Sequence, residues 1–138
     1  MLFKVPVLFI SYKRYRTASL VFDEIKKIKP KRLYFASNYP ENKKEEKNVK
    51  KVQGLLEKIN WKCKVTKIFH KKHLPVSKSI PKAINFFFQN EIEGIILEDD
   101  CLPSIDFFYY CERMLKKYRT NKKINSICGS RFIRNNKK

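Results

Sequence analysis

Glycine is scarce in this chain of 138 residues: there are three. Neither G-x-x-x-x-G-K-[ST] nor G-x-G-x-x-G occurs, so a glycine-rich phosphate loop is excluded. Cysteine is sparse as well. Cys63, Cys101, Cys111 and Cys128 form no C-x-x-C pair and fit no zinc spacing. Such thiols read as reduced, which points to a cytoplasmic protein. No apolar run is long enough to span a bilayer. The N-terminal "MLFKVPVLFISYKR" is short, broken by Lys4 and Pro6, and lacks a small-residue cleavage site, so it reads as a buried first strand. Acid is the other shortage: 13 Asp and Glu stand against 32 Lys and Arg, for a formal charge of +19.

Hydrophobic residues make up 43% of the chain and aromatics 14%, enough to form a core. The length suits one domain, read as residues 1–132 with a basic tail at 133–138. The charge is mostly lysine, as in "ENKKEEKNVKKVQ". A solvated lysine surface is the plain reading, and attraction to polyanions or to an acidic membrane is the sharper one. Aromatics fall in apolar runs rather than between basic residues, so no stacking platform for nucleic acid is indicated. His70 and His73 in "FHKKHLP" read as ordinary loop histidines.

Strand and helix patterns alternate along the chain. "VPVLFIS" reads as a first strand. Ala18, Val21, Phe22, Ile25 and Ile28 mark a helix with Thr17 as N-cap and Pro30 as its stop. "RLYFAS" is a second strand, and Val49, Val52, Leu55, Leu56 and Ile59 give a second helix. "CKVTKIF" is a third strand. Ile80, Ala83, Ile84, Phe87 and Phe88 give a third helix, with Pro81 in its first turn. "GIILEDD" is a fourth strand, and Ser104 caps a helix burying Phe107, Phe108, Cys111, Met114, Leu115 and Tyr118. "INSICGS" reads as a fifth strand. The expectation is an α/β protein of Rossmann-like type, with a mostly parallel sheet of about five strands and helices on both faces. Ligands in such sheets bind beyond the carboxyl ends of the strands.

The scarce acid is concentrated. From Glu91 to Glu112 there are seven acidic residues and no Lys or Arg. Glu98, Asp99 and Asp100 are consecutive at the end of a buried strand. Strand alternation aims Glu98 and Asp100 one way and Asp99 the other. Neighbouring carboxylates repel unless a cation is shared. Two readings stand: a solvated acidic turn, or a site for Mg²⁺ or Mn²⁺, hard ions that often combine one or two carboxylates with substrate phosphates. Lys13, Arg14, Lys71 and Lys72 at neighbouring strand ends suit a diphosphate. No separated carboxylate pair suggests a glycosidase, and no G-x-S-x-G elbow is present.

"GIILEDDCLPSIDFFYYCERML" resembles the metal-motif segment of nucleotide-sugar glycosyltransferases with the GT-A fold. The likeness is to the N-acetylglucosaminyltransferase I type and to related bacterial proteins. Pro103, Ser104, Asp106, Phe107 and Phe108 follow the E-D-D as in that family. "PVLFISYKRYRTASLVFDEI" and "KPKRLYFASNYPEN" resemble its first two strands and their loops, and the likeness covers most of Pro6 to Phe132. It implies a DxD-type motif in which Asp100 ligates Mn²⁺ or Mg²⁺. Glu98 and Asp99 would contact the ribose side or hold metal-bound water, and Arg14 would face the nucleotide. Asn38 stands where the family usually reads the base with an aspartate, and Pro75 where the bacterial relatives tend to have glycine. The implied ligand is a nucleotide-diphosphate sugar, UDP-sugars favoured, for transfer to a glycan or lipid-linked acceptor. No candidate for the family's catalytic base follows the motif, because Asp106 and Glu112 read as helix acids. The resemblance therefore implies the donor-binding half. The alternative expectation is a non-catalytic or split-enzyme partner, completed by a second chain. Peripheral contact with the inner face of an acidic membrane is a further expectation, and nucleic acid is not expected as a partner.

Overall fold

The computed structural model describes residues 1–129. Four strands form one sheet: β1 (Val7–Ser11), β2 (Arg32–Ser37), β3 (Lys64–Phe69) and β4 (Ile95–Glu98). They alternate with α1 (Tyr15–Ile28), α2 (Lys43–Gln53), α3 (Val76–Asn90) and α4 (Ile105–Tyr118). The strand order is β3-β2-β1-β4, and every pairing is parallel. The protein is thus α/β with an all-parallel sheet.

The two faces of the sheet are packed by different helices. Val7, Phe9, Leu33, Phe35, Ile95 and Leu97 join the buried residues of α1 and α4 and Val52 of α2 in one cluster. Leu8, Ile10, Tyr34 and Ala36, one residue out of phase, pack on Ala83 and Phe87 of α3. The side-chain alternation of a strand produces this division. The chain moves outward from β1 to β2 to β3, then crosses back to β4. A right-handed crossover in the reversed direction places its helix on the opposite face, which accounts for α3 standing apart. Phe9 and Phe35 meet edge to face at 5.2 Å, and Phe22 closes the trio at 6.1 Å from each. Each such burial stabilises the fold by roughly 1.5–3 kcal/mol. Gly94 is needed where α3 meets the start of β4: a Cβ there would lie 2.3 Å from the Phe87 ring and 2.9 Å from the Pro6 carbonyl.

Several element boundaries differ from the sequence reading. Arg14, not Thr17, is the N-cap of α1 and makes no side-chain cap bond; the Thr17 hydroxyl donates to the Arg14 carbonyl. Helix α1 ends in a left-handed residue, Lys29 (φ 49°), just before Pro30. The second helix does not run on to Ile59, because its α portion stops at Gln53 and a tighter 3₁₀ turn covers Gly54–Lys58. Pro81 is the sixth residue of α3 rather than a first-turn residue. It deprives the Ser77 carbonyl of an i+4 donor, on an exposed stretch where water can replace it. Ser104 caps α4 as expected, its hydroxyl accepting from Phe107 N at 3.3 Å. Of the apolar residues expected inside α4, Phe108 and Cys111 are buried, while Phe107, Met114, Leu115 and Tyr118 are half-buried.

The expected fifth strand does not form among the described residues. Ile124–Gly129 has no strand pairing, and Ser130, with the rest of the tail, lies outside them. Asn125, Ser126 and Ile127 instead line a groove of about 300 Å³ beside β4, with Phe88, Ile92 and Leu115. Among the described residues β4 pairs with β1 alone, so the sheet has four strands.

Candidate functional site

The strand order reverses at β1, which has β2 on one side and β4 on the other. Open parallel sheets hold ligands beyond the carboxyl ends of strands at such a reversal. The ends that meet there are Ser11-Tyr12-Lys13-Arg14 after β1 and Glu98-Asp99-Asp100 closing β4. Their register is fixed by the ladder, in which Ile10 lies opposite Glu98.

Strand β4 ends at Glu98, and Asp99 and Asp100 form the turn that follows. Asp99 is 4% exposed, while Glu98 and Asp100 face solvent. The expected opposite aim of Asp99 and Asp100 is not kept, because the strand has ended and both carboxylates reach Arg14 from the turn. Both oxygens of Asp99 are occupied. Oδ2 accepts the Tyr12 backbone N–H at 3.1 Å, and Oδ1 accepts Arg14 Nη2 at 2.6 Å. Asp99 therefore ties the end of β4 to the loop after β1. The same Arg14 nitrogen lies 3.1 Å from Asp100 Oδ2. Arg14 answers the repulsion between the two carboxylates, and the Asp99 hydrogen bond first, then its charge, raises the guanidinium pKa further above its ordinary value. Asp100 Oδ1 receives a contact from Cys101 Sγ at 3.7 Å. Burial, then the charge of Asp100, pushes the Cys101 thiol up, away from thiolate.

Asn38 is buried just past the end of β2, and its amide is engaged through both its nitrogen and its oxygen. Nδ2 donates to the Leu74 carbonyl at 2.7 Å, and Oδ1 accepts from Leu74 N at 3.2 Å and Tyr39 N at 3.0 Å. The side chain behaves like a strand residue, pairing both ways with the β3–α3 loop. An aspartate could accept both N–H groups but could not donate to Leu74. The structure brings Arg14, Asp99 and Asp100 together; the amide of Asn38 is directed at the neighbouring loop.

A second polar group beside the site went unrecognised in the sequence. The Tyr12 hydroxyl donates to Glu45 and accepts from Glu41 N at 3.2 Å. Lys13 pairs with the same Glu45. The Lys13 bond and then the Tyr12 bond lower the Glu45 carboxyl to about 2. Burial, then the bond to Glu45, raises Tyr12 to about 12. His73 Nδ1 lies 3.3 Å from the Tyr12 hydroxyl and 2.9 Å from the Tyr39 carbonyl. The group joins the loops after β1, β2 and β3. The available signal was Glu45 in the first turn of a helix capped by Asn42, placed to face the β1 end.

Among the described residues, no group of three or more His, Cys, Asp or Glu side chains is arranged to hold a metal ion. A bound divalent ion would have to rest on Asp100 and Glu98, which are exposed, since both oxygens of Asp99 are taken. One or two carboxylates suit Mg²⁺ or Mn²⁺ when phosphate oxygens complete the shell, so the donors fit an ion that arrives with a diphosphate. No described helix is long and apolar enough to cross a membrane. Comparison with protein-family models finds no match, and comparisons with curated proteins and with solved structures find none either.

Proposed function

We propose that this domain binds a nucleotide-diphosphate sugar at the β1–β4 reversal, as the donor site of a glycosyltransferase of GT-A type. The observation that carries the reading is the Arg14–Asp99–Asp100 cluster, in which one acid is buried as a latch and the next is left open to solvent. Asp99 holds the loop after β1 in place. Arg14, its side chain 55% exposed, is positioned to turn from Asp100 toward a phosphate. Asp100, with Glu98 beside it, offers carboxylate oxygens to Mn²⁺ or Mg²⁺. When bound, such an ion neutralises diphosphate oxygens and the charge of a departing nucleoside diphosphate. The Asn38 clamp and the Tyr12–Glu45 group set the shape of the nucleoside side. Cytoplasmic residence belongs to the same proposal, since a reducing compartment keeps the exposed Cys101 beside Asp100 as a thiol.

Calorimetric titration of the full chain with UDP and Mn²⁺, separately and together, tests the reading. Binding of UDP that requires Mn²⁺ supports it, and absence of binding with both present sinks it.

A second reading, a split-enzyme partner without activity of its own, is favoured by the outer edge of β4. Phe88 is 46% exposed and Ile92 96% exposed beside the 300 Å³ groove. In that reading a second chain covers this edge and supplies the acceptor side. Co-purification of a second chain with the native protein supports it; a lone monomer that turns over donor excludes it.

A further inference from the structure

The surface that runs from the β3 rim to α3, most of it away from the donor site, is built from a stretch of chain with charge of one sign. From Lys58 to Asn90 the chain has eight lysines and no Asp or Glu. Lys58 contacts Ser19 and Asp23. The other seven, Lys62, Lys64, Lys67, Lys71, Lys72, Lys78 and Lys82, are exposed, and among the described residues none is in an ion pair. Topology gathers them. β3 is an edge strand; alternation sends Lys64 to the α3 side of its rim and Lys67, whose ammonium lies over the Phe69 ring, to the other side, with Lys71 and Lys72 in the loop that leaves it. Lys82 of α3 lies near enough to His70, just past β3, to help keep the imidazole pKa low, after burial as the larger cause. Edge lysines also protect a strand from pairing with another chain, but that role does not account for lysines on the helix or in the loop.

Apolar side chains share this surface. Lys78, Lys82 and Phe86 recur every four residues and form one stripe on α3. Phe86 is 39% exposed, and Val76, which begins the helix, is 70% exposed. The adjacent side of α3, about 100° round the helix, is buried through Ser79, Ala83 and Phe87. Lysines interspersed with exposed apolar residues suit an anionic lipid bilayer, where the charges meet headgroups and the apolar groups reach the acyl boundary. Exposed Val76 would gain nothing from the phosphates of a nucleic acid. We propose that the β3 rim and the outer face of α3 dock this protein onto an anionic bilayer surface, independently of any donor nucleotide.

Co-sedimentation of the full chain with phosphatidylcholine vesicles, with and without 30% phosphatidylglycerol, tests this. Binding is expected to the anionic vesicles alone, weakening as salt shortens the Debye length. A lysine close to such a surface is worth roughly a fivefold change in partitioning. The triple change Lys64→Glu, Lys78→Glu, Lys82→Glu should therefore lower the partition coefficient by at least about tenfold. The comparator Lys116→Glu, Lys117→Glu, Lys122→Glu alters net charge equally near the β4 edge and should lower it by less than about threefold. Far-UV circular dichroism confirms folding, and the milder Lys→Gln versions of both triples repeat the comparison if a reversal variant fails to fold. Equal losses from the two triples would overturn the proposal, since net charge alone would then drive binding. Failure to bind anionic vesicles would overturn it too, as would displacement from them by single-stranded RNA at equimolar phosphate.

Discussion

Arg14 and Asp99 meet at 2.6 Å across the carboxyl ends of two neighbouring parallel strands, although 85 positions separate them in the chain. Asp99 also accepts the Tyr12 backbone N–H. The pair therefore fixes the shape of the proposed donor site before any ligand arrives.

Replacing Asp99 should cost stability as well as binding. Asp99→Ala removes the acceptor for the part-buried Tyr12 N–H, at roughly 1–3 kcal/mol. The loss of the Arg14 contact adds less, because that guanidinium is half exposed and screened. Asp99→Asn retains an acceptor oxygen and should cost less than Asp99→Ala. Urea unfolding monitored by circular dichroism measures both, and equal midpoints for the two variants and the native protein would contradict the latch role.

Asn38→Asp is close to isosteric, yet it should destabilise the β3–α3 loop. It removes the donor to the Leu74 carbonyl and adds a negative charge at a position 6% exposed. A cost of about 1–3 kcal/mol is expected for the unsatisfied group. Amide exchange at Leu74 should accelerate by tenfold or more, the equivalent of about 1.4 kcal/mol in local opening. Unchanged exchange there would show that the amide clamp contributes nothing.

Glu45 gives a pH dependence of known sign. Its folded pKa, about 2, lies below the ordinary value of 4.5, so its contribution is fully present above the unfolded pKa. That contribution fades as pH falls from about 4.5 toward about 2. Glu45→Gln should flatten the acid limb of the stability profile in that window and leave the shape of the profile above pH 6 unchanged. Tyr12→Phe removes one of the three hydrogen bonds that depress the carboxyl and should narrow the window from the low side. Thermal melts between pH 2 and pH 7 read both effects, and an acid limb identical in native protein and Glu45→Gln would contradict the assignment.

The parts of the fold readable from the sequence were those governed by apolar period. Ala18, Val21, Phe22, Ile25 and Ile28 repeat at helical spacing, and all five are buried on α1. "VLFI" is apolar throughout because β1 is covered on both faces, and the Ser11 that ends the strand is buried with its hydroxyl donating to the Ala36 carbonyl. Boundaries set by long-range contacts were not readable. Helix α1 begins at Tyr15 rather than after Thr17, next to an Arg14 held by Asp99, 85 positions further along the chain. "INSICGS" has the composition of a strand, but its described part flanks β4 without entering the ladder. At the candidate site, alternation accounts for buried Asp99 beside exposed Glu98, but not for Asp99 and Asp100 reaching the same Arg14 nitrogen. It could not reveal that Asn38 clamps Leu74 or that Glu45 meets Tyr12, because both depend on how separate loops converge.

The proposed role of Asp100 is to support a divalent ion that carries a nucleotide diphosphate. Its most direct test is calorimetric titration of a UDP-sugar into native protein and Asp100→Ala, each with and without Mn²⁺. Lys116→Ala, remote from the site, serves as the comparator. The account predicts binding by the native protein only with Mn²⁺, a dissociation constant at least about tenfold weaker for Asp100→Ala, about 1.4 kcal/mol of binding free energy, and no change for Lys116→Ala. Binding that is indifferent to Mn²⁺ and to Asp100→Ala, or no binding at all, would contradict it.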